Sequence, residues 1–311
     1  MKNGKLVFFG TSDICIPFLE MLRDDFQLAL IVTQPDAFGG RNCKKRMIPP
    51  VKTFALENHI PYEQPEQLKH DGLLAKIKDL EPALGVVIAY GKFIPASLYT
   101  VPSHRMVNVH FSMLPLYRGA APVQRAIANG DATTGITIFE IVKKMDAGPI
   151  WAQKEYPISA TDTTESLWKK LSTDGVGFLK ETILGILAGT LQPFAQDESK
   201  ATYAPPVQKE EGRVDWHLPA QCIVDKARAF TPWPGIHCGV DGRSFILTKV
   251  KVSALSHNKG AGDILAMDKN SLKICCGNGT VLEVMELQPP GKKSMSPYCY
   301  CLGNQLPCKL C

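Results

Sequence analysis

No apolar run in this 311-residue chain approaches the ~20 residues that a membrane-spanning helix needs. The opening stretch, MKNGKLVFFG, has neither an apolar leader core nor an Arg- and Ser-rich presequence, so a cytoplasmic protein without a membrane partner is expected. Nucleotide signatures are missing as well. The first strand-like run leads into GTSDIC, without the G-x-G-x-x-G spacing, and G-x-x-x-x-G-K-[ST] occurs nowhere, which discounts NAD and ATP. Charge of one sign is scarce: 35 basic against 30 acidic residues leave +5. Residues 209–311 hold +4 of it, from 13 basic and 9 acidic residues, an excess that a solvated surface explains as well as a polyanionic partner does. There is no internal repeat. The ten cysteines are scattered through a chain large enough for a proper core, and most read as reduced thiols rather than a disulfide framework.

What is present is an ordinary globular composition, 45% hydrophobic and 21% charged, over a length that suits two domains of ~100–200 residues each. KLVFFG reads as a short buried strand, and TSDICIPFLEMLRDD as the helix it feeds, with Ser12 or Asp13 as N-cap. LALIVTQPD, ALGVVIAYG and MVNVH read as further strands and GLLAKIKDLEP as a helix. The alternation predicts an α/β fold, a Rossmann-like doubly wound sheet whose ligands bind beyond the carboxyl ends of its strands. A second alternation, GITIFEIV, leads into KKMDAGPIW and puts Asp146 in a turn after a strand. Near residue 190 the helical pattern gives way to a polar, proline-punctuated stretch, which sets boundaries at 1–190, a linker at 191–208, and 209–311. Within 209–311, a single helix-like stretch, PAQCIVDKARAF, and five short strands, IHCGV, RSFILTKVKV, GDILAM, SLKICC and TVLEVMEL, predict a small antiparallel β-barrel resembling an oligonucleotide-binding (OB) fold.

NVHFSMLPLYRGAAP, residues 108–122, raises the chemical question. A strand sends alternate side chains to opposite faces, so Asn108 and His110 share one face while Val107 and Val109 share the other. An amide donor beside an imidazole suits a developing oxyanion and a moving proton, although a strand end whose polar side chains merely cap a loop would read the same.

NVHFSMLPLYRGAAPVQRAI, followed at a fitting interval by GITIFEIVKKMDAGPI, resembles the formyltransferase family that uses 10-formyltetrahydrofolate. FFGTSD near the start, TQPD at 33–36, VVIAYGKFIP at 86–95, AFTPWPG at 229–235 and LQPPGKKSMS at 287–296 follow in the family's order, and the last two narrow the resemblance to the branch with a C-terminal domain. The resemblance implies a catalytic trio of Asn108, His110 and Asp146. Asn108 and His110 would donate to the oxyanion, and Asp146 would position His110, support its charged form and help relay the amine proton. The same resemblance implies that Ser112, Met113, Leu114 and Pro115 contact the folate and that Ile88, Ala89, Tyr90 and Gly91 line its pterin pocket. A turn packed beneath the site is the alternative for both segments. Phe111 departs from the family, where a small residue is usual.

For the acceptor, the resemblance implies the α-amino group of methionyl initiator tRNA, a tRNA-contacting C-terminal domain, a monomer and no metal. The local support is GGRNCKKRMIPPVK, residues 39–52, with Arg41, Lys44, Lys45, Arg46 and Lys52 and no acid. The resemblance places Arg41, Lys44, Lys45 and Arg46 near the acceptor end of the tRNA, where basic side chains suit phosphate contacts. Alone, such a run is as readily a solvated connection. A rival acceptor is an amino sugar attached to a nucleotide. A different class, an RNA-binding protein with a degenerate enzyme domain, is disfavoured by the intact trio. The last residues, PYCYCLGNQLPCKLC, depart from the helix usual in the family and read as an altered or disordered tail; their C-x-C and C-x-x-C spacings make zinc a minor alternative.

Overall fold

The computed structural model describes residues 3–39, 45–69, 71–240 and 242–310. They group into two compact units, the first comprising residues 1–122, 133–157 and 168–204 and the second residues 123–132, 158–167 and 205–311. In chain order the elements up to residue 187 are β1 (Lys5–Gly10), α1 (Ile16–Asp25), β2 (Gln27–Val32), β3 (Ala37–Gly39), β4 (Lys45–Met47), α2 (Pro50–Glu57), β5 (Tyr62–Glu63), α3 (Asp71–Leu80), β6 (Leu84–Ile88), α4 (Ala96–Tyr99), β7 (Met106–His110), α5 (Pro122–Ala128), β8 (Thr133–Glu140), β9 (Ile150–Pro157) and α6 (Thr164–Leu187).

Seven strands form one sheet in the order β5-β2-β1-β6-β7-β8-β9. The first five run parallel. β8 and β9 are antiparallel additions: residues 141–149 join the two directly, where a parallel pair would need a helical crossover, and β8 runs antiparallel to β7 across a connection that contains α5. Both faces of the central strands are buried. Val7, Phe9, Leu30, Val32, Val87 and Met106 pack on one side with Leu73 and Ile77 of α3 and Leu98 of α4. Leu6, Phe8, Val86, Ile88 and Val107 are fully buried on the other. Burial on both faces is why these strands read as continuous apolar runs rather than alternating ones. α1 is not capped by Ser12 or Asp13. A 3-10 turn, Asp13–Cys15, intervenes, and the Asp13 carboxylate instead accepts from the Ile14 amide at 3.0 Å. Pro17 occupies the first turn of α1, where its missing N–H costs nothing.

The stretch expected to act as a linker is stitched along the first unit. Phe194 and Ile150 exchange backbone hydrogen bonds of 2.8 and 2.9 Å, the Arg118 amide donates to the Thr202 carbonyl at 2.9 Å, and the Ala204 amide donates to the Arg118 carbonyl at 2.7 Å.

In the second unit, α7 (Ala220–Ala229) accompanies β10 (Ile236–Val240), β11 (Arg243–Ser256), β12 (Ile264–Met267), β13 (Leu272–Cys275) and β14 (Thr280–Gln288), an antiparallel sheet in the order β10-β11-β14-β13-β12. The tail opens with a short helix, α8 (Pro297–Cys301), capped by the Ser296 hydroxyl, which accepts from the Cys299 amide at 3.2 Å. It then runs extended along β12: the Ile264 amide donates to the Cys308 carbonyl and the Leu310 amide to the Gly262 carbonyl, each at 2.9 Å. Leu310 is buried, and the tail pairs with the entry to edge strand β12. Among the described residues no helix is long and apolar enough to cross a membrane, and no group of three His, Cys, Asp or Glu side chains could hold a metal ion; Cys311 lies outside them.

Candidate active site

The candidate site lies where β7 ends, within the first unit. β7 is hydrogen-bonded to β6 and β8 in a register that sets Asn108 opposite Val87 and Phe139, and His110 opposite Thr137. Residues directly opposed in adjacent strands share a face, so Asn108, His110, Phe139, Thr137 and its own partner Gln153 all project to one side. The structure thus brings Asn108 and His110 together as their spacing predicts. His110 is buried, whereas Asn108 is partly open. The Asn108 carboxamide makes no hydrogen bond to another described residue.

His110 is held at one nitrogen and faces a carboxylate with the other. Its Nε2 lies 2.9 Å from the Tyr117 carbonyl, and because a carbonyl can only accept, Nε2 carries a hydrogen. Nδ1 is left to face the Asp146 carboxylate at 3.8 Å, ion-pair range but longer than a hydrogen bond. The Phe139 ring packs edge-on against the imidazole with centroids 6.3 Å apart. Asp146 joins the pair as predicted, and the turn between β8 and β9 presents it. Its backbone takes a left-handed conformation, φ +49°, and its carboxylate accepts from the Gly119 amide at 2.8 Å. A Cβ at Gly148 would collide with the Glu140 carbonyl, so the tightness of this turn depends on glycine there.

A second layer, invisible in local sequence spacing, fixes that turn. Arg118 is fully buried, with its guanidinium forked onto Glu198 at 2.9 and 3.0 Å and onto the Gln196 amide oxygen at 2.6 and 3.1 Å. The other end of Gln196 donates to the carbonyls of Asp146 and Gly148 at 2.9 and 2.8 Å. Arg118 and, on its far side, Lys144 hold the Glu198 carboxyl at about 2, well below the usual carboxylate range. The R-G pair in the motif is the only sequence sign of this brace, and nothing around residues 196–198 marks them as its partners.

Ser112, Met113, Leu114 and Pro115 form a turn directly after β7. The Ser112 hydroxyl donates to the Leu116 carbonyl at 2.6 Å, and Thr137 donates to the Ser112 carbonyl at 2.6 Å while accepting from the Leu114 amide at 3.1 Å. Gln153 closes the set by donating to the Leu114 carbonyl at 2.7 Å. Ser112 and Leu114 are therefore buried and committed to the turn, while Met113 and Pro115 are half-buried. Phe111 is buried.

The neighbouring strand end divides in the same way. Ile88 and Tyr90 are buried, Ala89 and Gly91 exposed. The Tyr90 carbonyl accepts from Gln34 at 2.6 Å and from Thr11 at 3.1 Å, and burial pushes the Tyr90 phenol up to about 12. Beneath it, Cys15 donates to the Ile88 carbonyl at 3.2 Å; burial pushes this thiol up to about 12, so it is no nucleophile.

Of the four basic residues placed near an RNA, Arg41 and Lys44 lie outside the described residues, and Lys45 is described only as backbone in β4. Arg46 is bound to Asp36, with its Nη2 2.6 Å from the carboxylate. Lys52 and Gln64 bind the same carboxylate at 2.9 and 2.8 Å, and the three partners hold its pKa at about 2. The absence of an acid from residues 39–52 concealed this partner, which stands just ahead of β3.

The formyl transferase family profile matches residues 4–183, and the formyl transferase C-terminal domain profile matches residues 206–305. The chain is 40% identical to the methionyl-tRNA formyltransferase of Latilactobacillus sakei over 97% of its own length and 95% of the relative's. It is 39% identical to that of Bacillus licheniformis over 94% and 92%. Among solved structures, an N-formyltransferase from Helicobacter canadensis in complex with folinic acid and dTDP-3-aminofucose superposes with a TM-score of 0.70 at 19% identity, covering 92% of this chain and all of that one. At that identity the likeness speaks for the fold alone. With both profiles matched and relatives of this similarity aligned nearly from end to end, the chain belongs to the formyl transferase family, in its methionyl-tRNA formyltransferase branch.

Proposed function

We propose that the protein transfers the formyl group of 10-formyltetrahydrofolate to the α-amino group of methionyl initiator tRNA, the step that prepares this tRNA for translation initiation. The observation that carries the reading is the end-to-end similarity to methionyl-tRNA formyltransferases, together with a trio geometry suited to the chemistry. The folate supplies an activated formyl carbon. The chain must then stabilise a negative oxygen and move a proton from the attacking amine to the departing nitrogen.

The surroundings of each residue support its role. The Tyr117 carbonyl holds the Nε2 hydrogen of His110, so the proton that moves is the one on Nδ1. In the neutral ring Nδ1 is an acceptor; once protonated it donates to the oxyanion beside the Asn108 amide. Asp146 faces that same nitrogen, balances its charge and shares the relay of the amine proton. No side-chain nucleophile is needed, because the amine attacks.

The two strand-end segments suit the folate. Exposed backbone at Ala89 and Gly91, backed by buried Ile88 and Tyr90, offers donor and acceptor edges to a flat heterocycle, and half-buried Met113 and Pro115 offer contact surface on the turn that Ser112 and Leu114 hold. The basic side chains of Arg41, Lys44 and Lys45 suit phosphate contacts with the tRNA. The test is transfer of labelled formyl from 10-formyltetrahydrofolate to methionyl initiator tRNA, with His110→Ala and a nucleotide-linked amino sugar alongside. Transfer to the tRNA by the parent alone is the expected result; transfer to the sugar in its place overturns the reading.

A further inference from the structure

The Asp36 cluster belongs to no step of the chemistry above. The Asp36 side chain is only 10% exposed and that of Lys52 11%, yet the carboxylate is fully subscribed: Arg46 through Nε and Nη2 at 2.8 and 2.6 Å, Lys52 at 2.9 Å to both oxygens, and Gln64 at 2.8 Å. The partners come from distinct elements. Asp36 immediately precedes β3, Arg46 lies in β4 opposite Phe38, Lys52 is in the first turn of α2, and Gln64 follows β5. The chain of bonds then continues inward. Gln64 also donates to the Gln34 carbonyl at 2.8 Å, and the Gln34 side chain donates to the Tyr90 carbonyl at 2.6 Å, at the strand end assigned above to the folate.

We infer that Arg46 and Lys52 are internal counter-ions of Asp36 rather than phosphate contacts, and that Asp36 is a positioning residue that sets the stance of the β3–β4 hairpin relative to the folate strand end. The inference rests on tRNA being the acceptor. Two of the five cations counted between residues 39 and 52 are thereby committed to a carboxylate of the protein itself. A guanidinium that sets two of its nitrogens on one oxygen of a nearly buried carboxylate acts as a strut, whereas an arginine reaching for RNA keeps its donors free.

The two roles differ in their salt dependence. Removing a phosphate contact releases one fewer counter-ion and flattens the plot of log kcat/KM against log salt by about 0.7–0.9; removing a strut shifts the plot without changing its slope. Arg46 is 62% exposed on its side chain, so Arg46→Ala is expected to fold. We expect it to raise KM for methionyl initiator tRNA about tenfold, as a misplaced binding element does, with kcat and the folate KM within about twofold and the salt slope unchanged. Arg46→Gln, which can still hydrogen-bond Asp36 without a charge, should recover most of the loss. Asp36→Asn also strips Lys52 of its counter-ion and should cost more than Arg46→Ala, but adding Arg46→Ala to Asp36→Asn should cost little further, since the ion pair made by Arg46 is then already gone. A flattened slope, no recovery in Arg46→Gln, multiplicative losses in the double variant, or an unchanged tRNA KM each overturns the inference. A parent that formylates no tRNA overturns the reading beneath it instead.

Discussion

At the scale of single residues, two neighbouring groups on β7 differ in how free they are. Asn108 has no partner among the described residues and loses nothing structural on truncation, so Asn108→Ala should lower kcat by roughly a hundredfold to a thousandfold, the usual cost of one oxyanion donor, while folate binding and melting temperature hold. Single-turnover transfer and folate titration check this. Asp146→Asn separates placement from charge. The amide oxygen can still accept from Gly119, but the ion pair with Nδ1 is gone. A loss of about a hundredfold in kcat without a change in fold is expected, since general acid–base contributions start near that size. Glu198 supplies a pH test. Its carboxyl is held at about 2, so its contribution to stability is complete above the ordinary carboxylate pKa of ~4.3 and lost as the pH falls from there toward 2. Melting curves of the parent and of Glu198→Gln should differ at neutral pH and converge across that window.

At the scale of elements, the site hangs on the connection between β8 and β9. Gly148→Ala would drive a Cβ into the Glu140 carbonyl, so the turn that presents Asp146 must shift; a cost of about 1–3 kcal/mol in stability is expected, with a further fall in kcat. Denaturant unfolding and steady-state kinetics of the variant measure both. This scale also shows what was legible in the sequence. A period of two put Asn108 and His110 on one face, and buried strands announced themselves as apolar runs, because strand geometry and burial are local properties. The antiparallel setting of β8 was not readable, since strand direction depends on how the connection packs. Nor was the brace: Arg118 meets Gln196 and Glu198 across 78 and 80 positions of sequence, from a stretch whose composition marked it only as a connection. The partner of Arg46 was hidden for a different reason, because Asp36 sits ten residues upstream, outside the basic run that drew attention to it.

At the scale of the molecule, each unit has its own core, and the second is closed by its tail. Leu310 is 3% exposed, and Leu310→Ala should remove about 2–5 kcal/mol from that unit and lower its unfolding midpoint, which calorimetry would detect. The brace across the first unit also sets a clock. A chain made from its N-terminus exposes the trio with Asp146, yet Gln196, Glu198 and Thr202 are still to come. At ~5–20 residues per second, the eighty positions from Arg118 to Glu198 take roughly 4–16 s to make. Until then the Arg118 guanidinium lacks Glu198, and the Asp146 turn has the Gly119 amide but not the two bonds from Gln196. Competence is therefore a late event in the life of each new molecule, reached when the stretch ending at Ala204 lies down against the unit that was begun first.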